Sequence, residues 1–357
     1  MSKLVRLVAL LSVAGCSIGP SSVARDRFDY SAAIADSWKR QMLLNVVKLR
    51  YSDPPVFLDV GQVVSGYTVQ STFTALGNVF STNGPVPGVP NSSVGLSAQG
   101  QFIDRPTVTY APLMGERFAR SLMTPIPPPA LMSLIQAGNP VDLVLRLGVH
   151  VVNGLRNRYG GDIRATRADP EFYQLLERLR RIQLSGAVGM RVQRIDREEA
   201  LIMSFRRAVE PNVEADIVAA RELLGVDPGA SDFRVVYGAV AANNREIAIL
   251  SRSILEILVD LSSFISVPDA DVAEQRVSAT AEPEMGPSGP IRPLIRIASS
   301  ADRPSDAFVS VPYRNWWFWI DDRDVPSKRL FSFLMFLFTL VETGTKESPP
   351  IITIPAG

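Results

Sequence analysis

Between Asp59 and Asp104 the chain runs for 44 residues, 60–103, without a single Asp, Glu, Lys or Arg. At the chain's overall 20% of charged residues about nine would be expected there, so this stretch is composed differently from the rest. Within it Val63, Tyr67, Val69, Phe73 and Ala75 alternate with Gly66, Thr68, Gln70, Thr72 and Thr74. Further on, Val94, Leu96, Ala98 and Phe102 alternate with Ser93, Ser97, Gln99 and Gln101. A period of two marks strands with unlike faces. Asn83-Gly84-Pro85 and Pro87-Gly88-Val89-Pro90 supply a turn-rich connection. The expected product is an extended, uncharged β-hairpin with arms at about 63–75 and 93–103 and a long tip, then a short strand from Thr107 to Tyr110 between Pro106 and Pro112.

The chain opens MSKLVRLVALLSVAGC, with Lys3 and Arg6 as a basic region and Leu7 to Val13 as an apolar run too short to cross a bilayer. That is the pattern of a signal peptide. Its end, Val13-Ala14-Gly15-Cys16, resembles the lipobox of bacterial lipoproteins, in which Val13, Ala14 and Gly15 are recognised by the signal peptidase and the cysteine becomes the mature N-terminus. The resemblance implies a diacylglyceryl thioether on Cys16 and an acyl chain, typically palmitate, on its amine; two chains already suffice for stable anchoring. Ser17, where the family rule reads Asp as inner-membrane retention, implies sorting to the outer membrane. Cys16 is also the one cysteine of the chain, as suits a protein of an oxidising periplasm. Asn45-Val46-Val47-Lys48-Leu49-Arg50-Tyr51 and the stretch Tyr313 to Asp324 are similar to an uncharacterised group of such envelope lipoproteins, which brings no activity with it.

The remainder divides into 1–15 as signal peptide, 16–30 as lipidated tether, 31–185 as helix, uncharged hairpin and helical region, and 186–357 as an α+β domain. A helix is expected from Ser31 to Leu49, ended by Asp53-Pro54-Pro55, and others at Glu116 to Leu122, Pro128 to Gln136, Val141 to Leu155 and Pro170 to Leu184. After Gly186 a hairpin-plus-helix unit occurs three times by pattern. It comprises Val188–Ile195, Ala200–Phe205 and helix Val213–Leu224; Phe233–Val240, Glu246–Leu250 and helix Ile254–Phe264; and Phe308–Tyr313, Trp316–Ile320 and helix Ser327–Val341. The fold class is therefore α+β, antiparallel hairpins with helices on one face, plus the extended uncharged hairpin. Val267 to Pro293, rich in Pro, Gly, Ser and acids, reads as a mobile loop, and Leu330 to Val341 as a fully buried core helix.

Composition narrows function. Without Lys3 and Arg6, 35 basic residues face 36 acidic ones, which argues against nucleic acid as a partner. One cysteine and one histidine leave no metal centre, and no catalytic or cofactor-binding residue is assigned. His150 lies in what reads as an apolar helix with no orienting acid in view. The basic stretch 146–207 reads as a solvated face, or as a surface for anionic headgroups. Trp316, Trp317, Phe318 and Trp319 precede Asp321, Asp322 and Asp324. Alternation places Trp317 and Trp319 on one side of a strand expected to be central and buried on both. Tyr67, Phe73, Phe102, Trp317 and Trp319 are the candidate interaction residues. The function expected is that of a non-enzymatic, outer-membrane-anchored, periplasm-facing lipoprotein, a structural or assembly component of a cell-envelope complex. Its partners would be the membrane, through the N-terminal lipid, and other envelope proteins or copies of itself. One alternative is a subunit of an oligomeric export pore that donates the hairpin. Another is an envelope glycan-binding module using Trp316 to Asp324.

Overall fold

The computed structural model describes residues 19–64, 67–79, 92–104, 107–113, 115–160, 165–195, 198–206, 210–287 and 289–342. The readings on Val13, Ala14, Gly15, Cys16 and Ser17 and on the hairpin tip lie outside the described residues. The fold is α+β. Leu58–Leu113 form one compact unit, here called the ribbon, and the other described residues form a second, the body.

In the ribbon, β1 (Phe57–Val64) pairs with β4 (Thr107–Leu113) and β2 (Tyr67–Val79) with β3 (Ser92–Asp104). The strands are longer than the expected arms. The β2–β3 ladder runs antiparallel through 13 consecutive pairs, Tyr67↔Asp104 to Val79↔Ser92. Its register sorts the composition into rows. Val69↔Phe102, Phe73↔Ala98, Ala75↔Leu96 and Gly77↔Val94 are apolar on both strands; Gln70↔Gln101, Thr72↔Gln99, Thr74↔Ser97 and Asn78↔Ser93 are polar on both.

The body opens with α1 (Gly19–Arg50). It starts well ahead of Ser31, so the segment expected to be an extended tether is helical from Gly19. That cuts its reach from about 3.5 to about 1.5 Å per residue. From residue 27 on, full burial begins at Met42, with Leu43, Val46 and Val47 following, while Phe28 is 75% exposed. The helix ends where Ser52 turns left-handed (φ 59°). Helices α2 (Glu116–Met123), α3 (Pro128–Gln136), α4 (Val141–Gly148) and α5 (Pro170–Leu184) follow. The last three start with a residue after a Pro or with Pro itself, where its missing N–H costs nothing.

Val149 ends the helix expected to continue to Leu155. Val149-His150-Val151-Val152, with three β-branched valines, is β5 (Val149–Val152), joined to β6 (Leu155–Arg156). The backbone at Gly148 passes so near Leu131 that a Cβ there would stand 2.8 Å from Leu131 Cδ2. With β7 (Val188–Ile195), β8 (Glu198–Phe205), β9 (Asp232–Tyr237) and β10 (Glu246–Ser251) these strands make a six-stranded sheet in the order β6-β5-β10-β9-β8-β7. The first expected hairpin, β7–β8, is present with α6 (Pro211–Leu224) after it, closed by left-handed Gly225.

The second expected hairpin is not one: β9 and β10 run parallel, Arg234 beside Glu246 and Tyr237 beside Ile249. The antiparallel place beside β10 belongs to β5. Asn153 locks that junction, donating to Leu224 O (2.8 Å) and Glu246 O (3.2 Å) and accepting from Ala248 N (2.6 Å). After β10 comes α7 (Ile254–Ser262), headed by a capping box between Ser253 and Glu256.

The segment Val267 to Pro293, read from composition as mobile, is instead tied down. It holds α8 (Asp269–Ala273) and a small pair, β11 (Met285–Gly286) with β12 (Gly289–Pro290). Side chains from distant helices grip it: Arg50 donates to Ser278 O and Ala279 O, Tyr51 to Asp271 and Tyr173 to Glu284. Composition could not reveal those partners, because they lie more than a hundred residues away. The third hairpin is present: β13 (Ala298–Ser300), β14 (Ala307–Tyr313) and β15 (Trp316–Asp321) form a sheet with β15 in the centre, followed by α9 (Val325–Glu342). That helix is not buried all round. Leu330, Phe331, Leu334, Leu337 and Phe338 are buried, but Phe336 is 54% exposed, as one amphipathic face requires. No described helix is long and apolar enough to cross a membrane.

Candidate functional site

Two surfaces contain the residues singled out in the sequence. Tyr67, Phe73 and Phe102 lie in the ribbon ladder, opposite Asp104, Ala98 and Val69. Neither β2 nor β3 pairs with a third strand among the described residues, so each has one edge of N–H and C=O groups without a ladder partner there. A two-stranded hairpin is only marginally stable in water by itself. This edge, together with the absence of charge, is what the ribbon offers chemically: a template for further strands.

The second surface is the three-stranded sheet of the body. Phe318 and Ile320 are fully buried on one side of β15, as expected for a central strand. The other side corrects the expectation of burial on both faces, since Trp317 and Trp319 are only half-buried. The reason lies in the register. Trp319 stands between Ala298 and Ser310, and Trp317 between Ser300 and Pro312, so small neighbours leave the indoles uncovered. The Arg303 guanidinium lies 5.4 Å from the Trp317 ring centroid. At the Trp319 end a cavity of ≈ 440 Å³ is lined by Ala298, Trp319, Asp321, Asp324 and three arginines, Arg292, Arg296 and Arg323. Asp324 caps α9, accepting from Ser327 N (3.2 Å) and Oγ (2.9 Å), and pairs with Arg292 at 2.6 Å. Burial alone would raise the Asp324 carboxyl, but the bonds from Ser327 and Arg292 outweigh it and hold it below the usual carboxylate range. Arg323 pairs with Asp306 at 2.7 Å. Arg296 bonds through its backbone N–H to Ser327 Oγ, and its exposed guanidinium has no ion-pair partner among the described residues.

His150 sits in β5, not in a helix, and an acid is close: Glu256 Oε1 is 3.3 Å from its Nε2. Sequence reasoning missed this pair, whose members are more than a hundred positions apart. Burial and the nearby Arg252 push the imidazole pKa down more than Glu256 raises it, so the ring is neutral at pH 7. Glu256 is already engaged by Ser253 in the capping box, so the pair is tied into the base of α7. Below it lies the most buried charge cluster of the body. Arg252 is 0% exposed, donates to Asp260 Oδ2 (3.1 Å) and Arg146 O (3.2 Å), and also contacts Arg158 O. Arg158 (3.1 Å) and the Gly160 N–H (2.7 Å) take Asp260 Oδ1.

Among the described residues several cations of the basic stretch are ion-paired. Arg178 and Arg181 converge on Asp216 at 2.6 and 2.7 Å, and Arg191 pairs with Asp232 at 3.3 Å. The two segments that carry the lipoprotein resemblance meet in the body: Tyr51 packs on Tyr313 (5.3 Å) and Phe318 (6.0 Å), and Tyr313 donates to Asp53. These residues are joints of the fold rather than a ligand site. Comparison with known protein families, with characterised proteins and with solved structures finds no match.

Proposed function

We propose that the protein is an outer-membrane lipoprotein, held through lipid on Cys16, whose ribbon assembles with other strands as a structural component of a cell-envelope complex. The observation that carries this reading is the bare ladder: 13 residue pairs, all but Tyr67↔Asp104 inside the uncharged stretch of 44, with no third strand on either side among the described residues. In a pleated ribbon alternate rows fall on opposite faces. The rows of β2–β3 therefore give it one mainly apolar face, interrupted by Ser71↔Gly100, and one mainly polar face, interrupted by Ile103 and Leu76, suited to a shared sheet that buries the first.

A second reading, that copies of the ribbon close into an export pore, is favoured by strand length. Thirteen residues at about 3.4 Å each exceed the roughly 30 Å of bilayer hydrocarbon. Closure would remove the edges that lipid cannot satisfy. Native mass spectrometry of the detergent-extracted chain tests both. A discrete oligomer is expected, and a larger complex with other envelope proteins supports the first reading over the second. Asp at both Thr72 and Gln99 sets two like charges directly opposite each other in the ladder, which destabilises the hairpin that assembly needs and should reduce assembly. Extraction of Cys16→Ala in the aqueous fraction is expected as well. A wild-type chain that is monomeric both in detergent and in crosslinked cells would overturn the assembly reading.

A further inference from the structure

We infer that the cavity beside Trp319 is a binding site for a carboxylate-bearing sugar of the envelope, a function separate from assembly through the ribbon. The argument begins with the shape of the sheet. Small residues on both flanking strands, Ala298 and Ser310, leave one side of Trp319 half-open instead of roofed. An indole face is negative at its centre, and the C–H groups on one side of a pyranose ring are weakly positive, so an open indole on a rigid central strand is a platform on which a sugar stacks.

The walls then supply what the hydroxyls of a sugar need. Asp321 accepts, and Arg292 and Arg323 donate, Arg292 from a side chain held by the largely buried, helix-capping Asp324. Groups held in place before the ligand arrives lose little freedom on binding. At ≈ 440 Å³ the cavity falls within the roughly 300–1,000 Å³ of small-ligand sites.

Charge selects among sugars. Of the three arginines, two are already matched by carboxylates, whereas the Arg296 guanidinium has no ion-pair partner among the described residues. An exposed guanidinium at the rim of a cavity pairs best with a planar carboxylate, by two parallel hydrogen bonds. In addition, the Trp319 Nε1–H in the cavity wall is buried and has no acceptor, a donor left unsatisfied in a chain that otherwise caps and pairs its polar groups around this site. A neutral sugar would use the platform and leave Arg296 idle; an acidic one uses both.

Isothermal titration calorimetry of the full chain in detergent tests the inference with two probes: the disaccharide of N-acetylglucosamine and N-acetylmuramic acid, and chitobiose, which lacks the carboxylate. The acidic disaccharide is expected to bind saturably and about tenfold tighter than chitobiose, the factor one charge-assisted pair supplies. Arg296→Gln keeps the backbone bond to Ser327 and should erase that difference while leaving chitobiose affinity unchanged. Trp319→Phe keeps a ring with less face and no N–H, and should weaken both sugars. Absence of saturable heat from either sugar at millimolar concentration would overturn the site. So would affinities indifferent to both substitutions, and equal wild-type affinities would overturn the selection for carboxylate. The ribbon variant with Asp at Thr72 and Gln99 should bind as wild type, so failure of the assembly reading and failure of this one are distinguishable.

Discussion

The body is organised by long-range side-chain ties, and the ribbon by a backbone ladder. In the body, Arg252, Asp260 and Arg158 join β10, α7 and the segment after β6, and Asn153 bolts β5 to β10 and to the end of α6. In the ribbon, the regularity lies in 13 successive main-chain pairs, most of whose rows match apolar with apolar or polar with polar. The first kind of construction specifies one fold for one chain, because each of these buried side chains has particular partners. The second kind specifies only a repeat. A ladder accepts a further strand of the same character as readily as it accepts its own, which is the property an assembling element needs.

Substitutions that remove a tie test this contrast most strongly. Arg252→Ala leaves Asp260 buried at 2% exposure with part of its pairing gone, and should lower body stability by about 3–5 kcal/mol in urea unfolding followed by tryptophan fluorescence. A loss under about 1 kcal/mol would mean that the cluster is not what organises this part of the fold. Asn153→Ala orphans two carbonyls and one N–H, and a loss of about 1–3 kcal/mol is expected. At the small end, Asp at both Thr72 and Gln99 should leave the body's unfolding midpoint within about 0.5 kcal/mol of wild type even as it disrupts assembly.

The pH profile sharpens the comparison, since among the described residues the groups with displaced titration belong to the body. His150, Glu256, Asp169, Asp216 and Asp324 all titrate below their usual ranges. The unfolded chain therefore binds protons first as the medium is acidified. Stability should decline once pH falls below about 6.5, where an unfolded histidine protonates, and more steeply below about 4, where unfolded carboxylates do. Tyr51, Tyr173 and Tyr313 titrate above theirs, through burial reinforced by their bonds to Asp271, Glu284 and Asp53. Their contribution is present below about pH 10 and is lost as pH rises beyond it. Thermal melts across this range that stay flat from pH 3 to pH 11 would contradict both arms.

What the sequence disclosed and what it withheld follow from the range of the interactions. α3 and α5 lie at Pro128–Gln136 and Pro170–Leu184 as the proline positions indicate, because a proline's effect on helix starts is local. The ribbon was readable because composition and a period of two act within a few residues. The parallel pairing of β9 with β10 was not, since their eight-residue connection looks like a hairpin turn and the antiparallel neighbour of β10, β5, lies about a hundred residues away in sequence. The same limit hid the Glu256 beside His150 and the uncovered side of Trp317 and Trp319, where the deciding residues, Ala298, Ser300, Ser310 and Pro312, belong to neighbouring strands.

The long helix α1 has a mechanical consequence. Its buried turns begin at Met42, and its end is fastened by Asn45 to Val56, by Arg50 to the carbonyls of Ser278 and Ala279, and by Tyr51 to Asp271. A tug applied ahead of Gly19 is carried along some 23 residues of helix, about 35 Å, before it meets those fastenings. There it loads several bonds at once in different directions. A chain gripped at its first residues would thus yield by fraying single turns long before its sheets felt the strain.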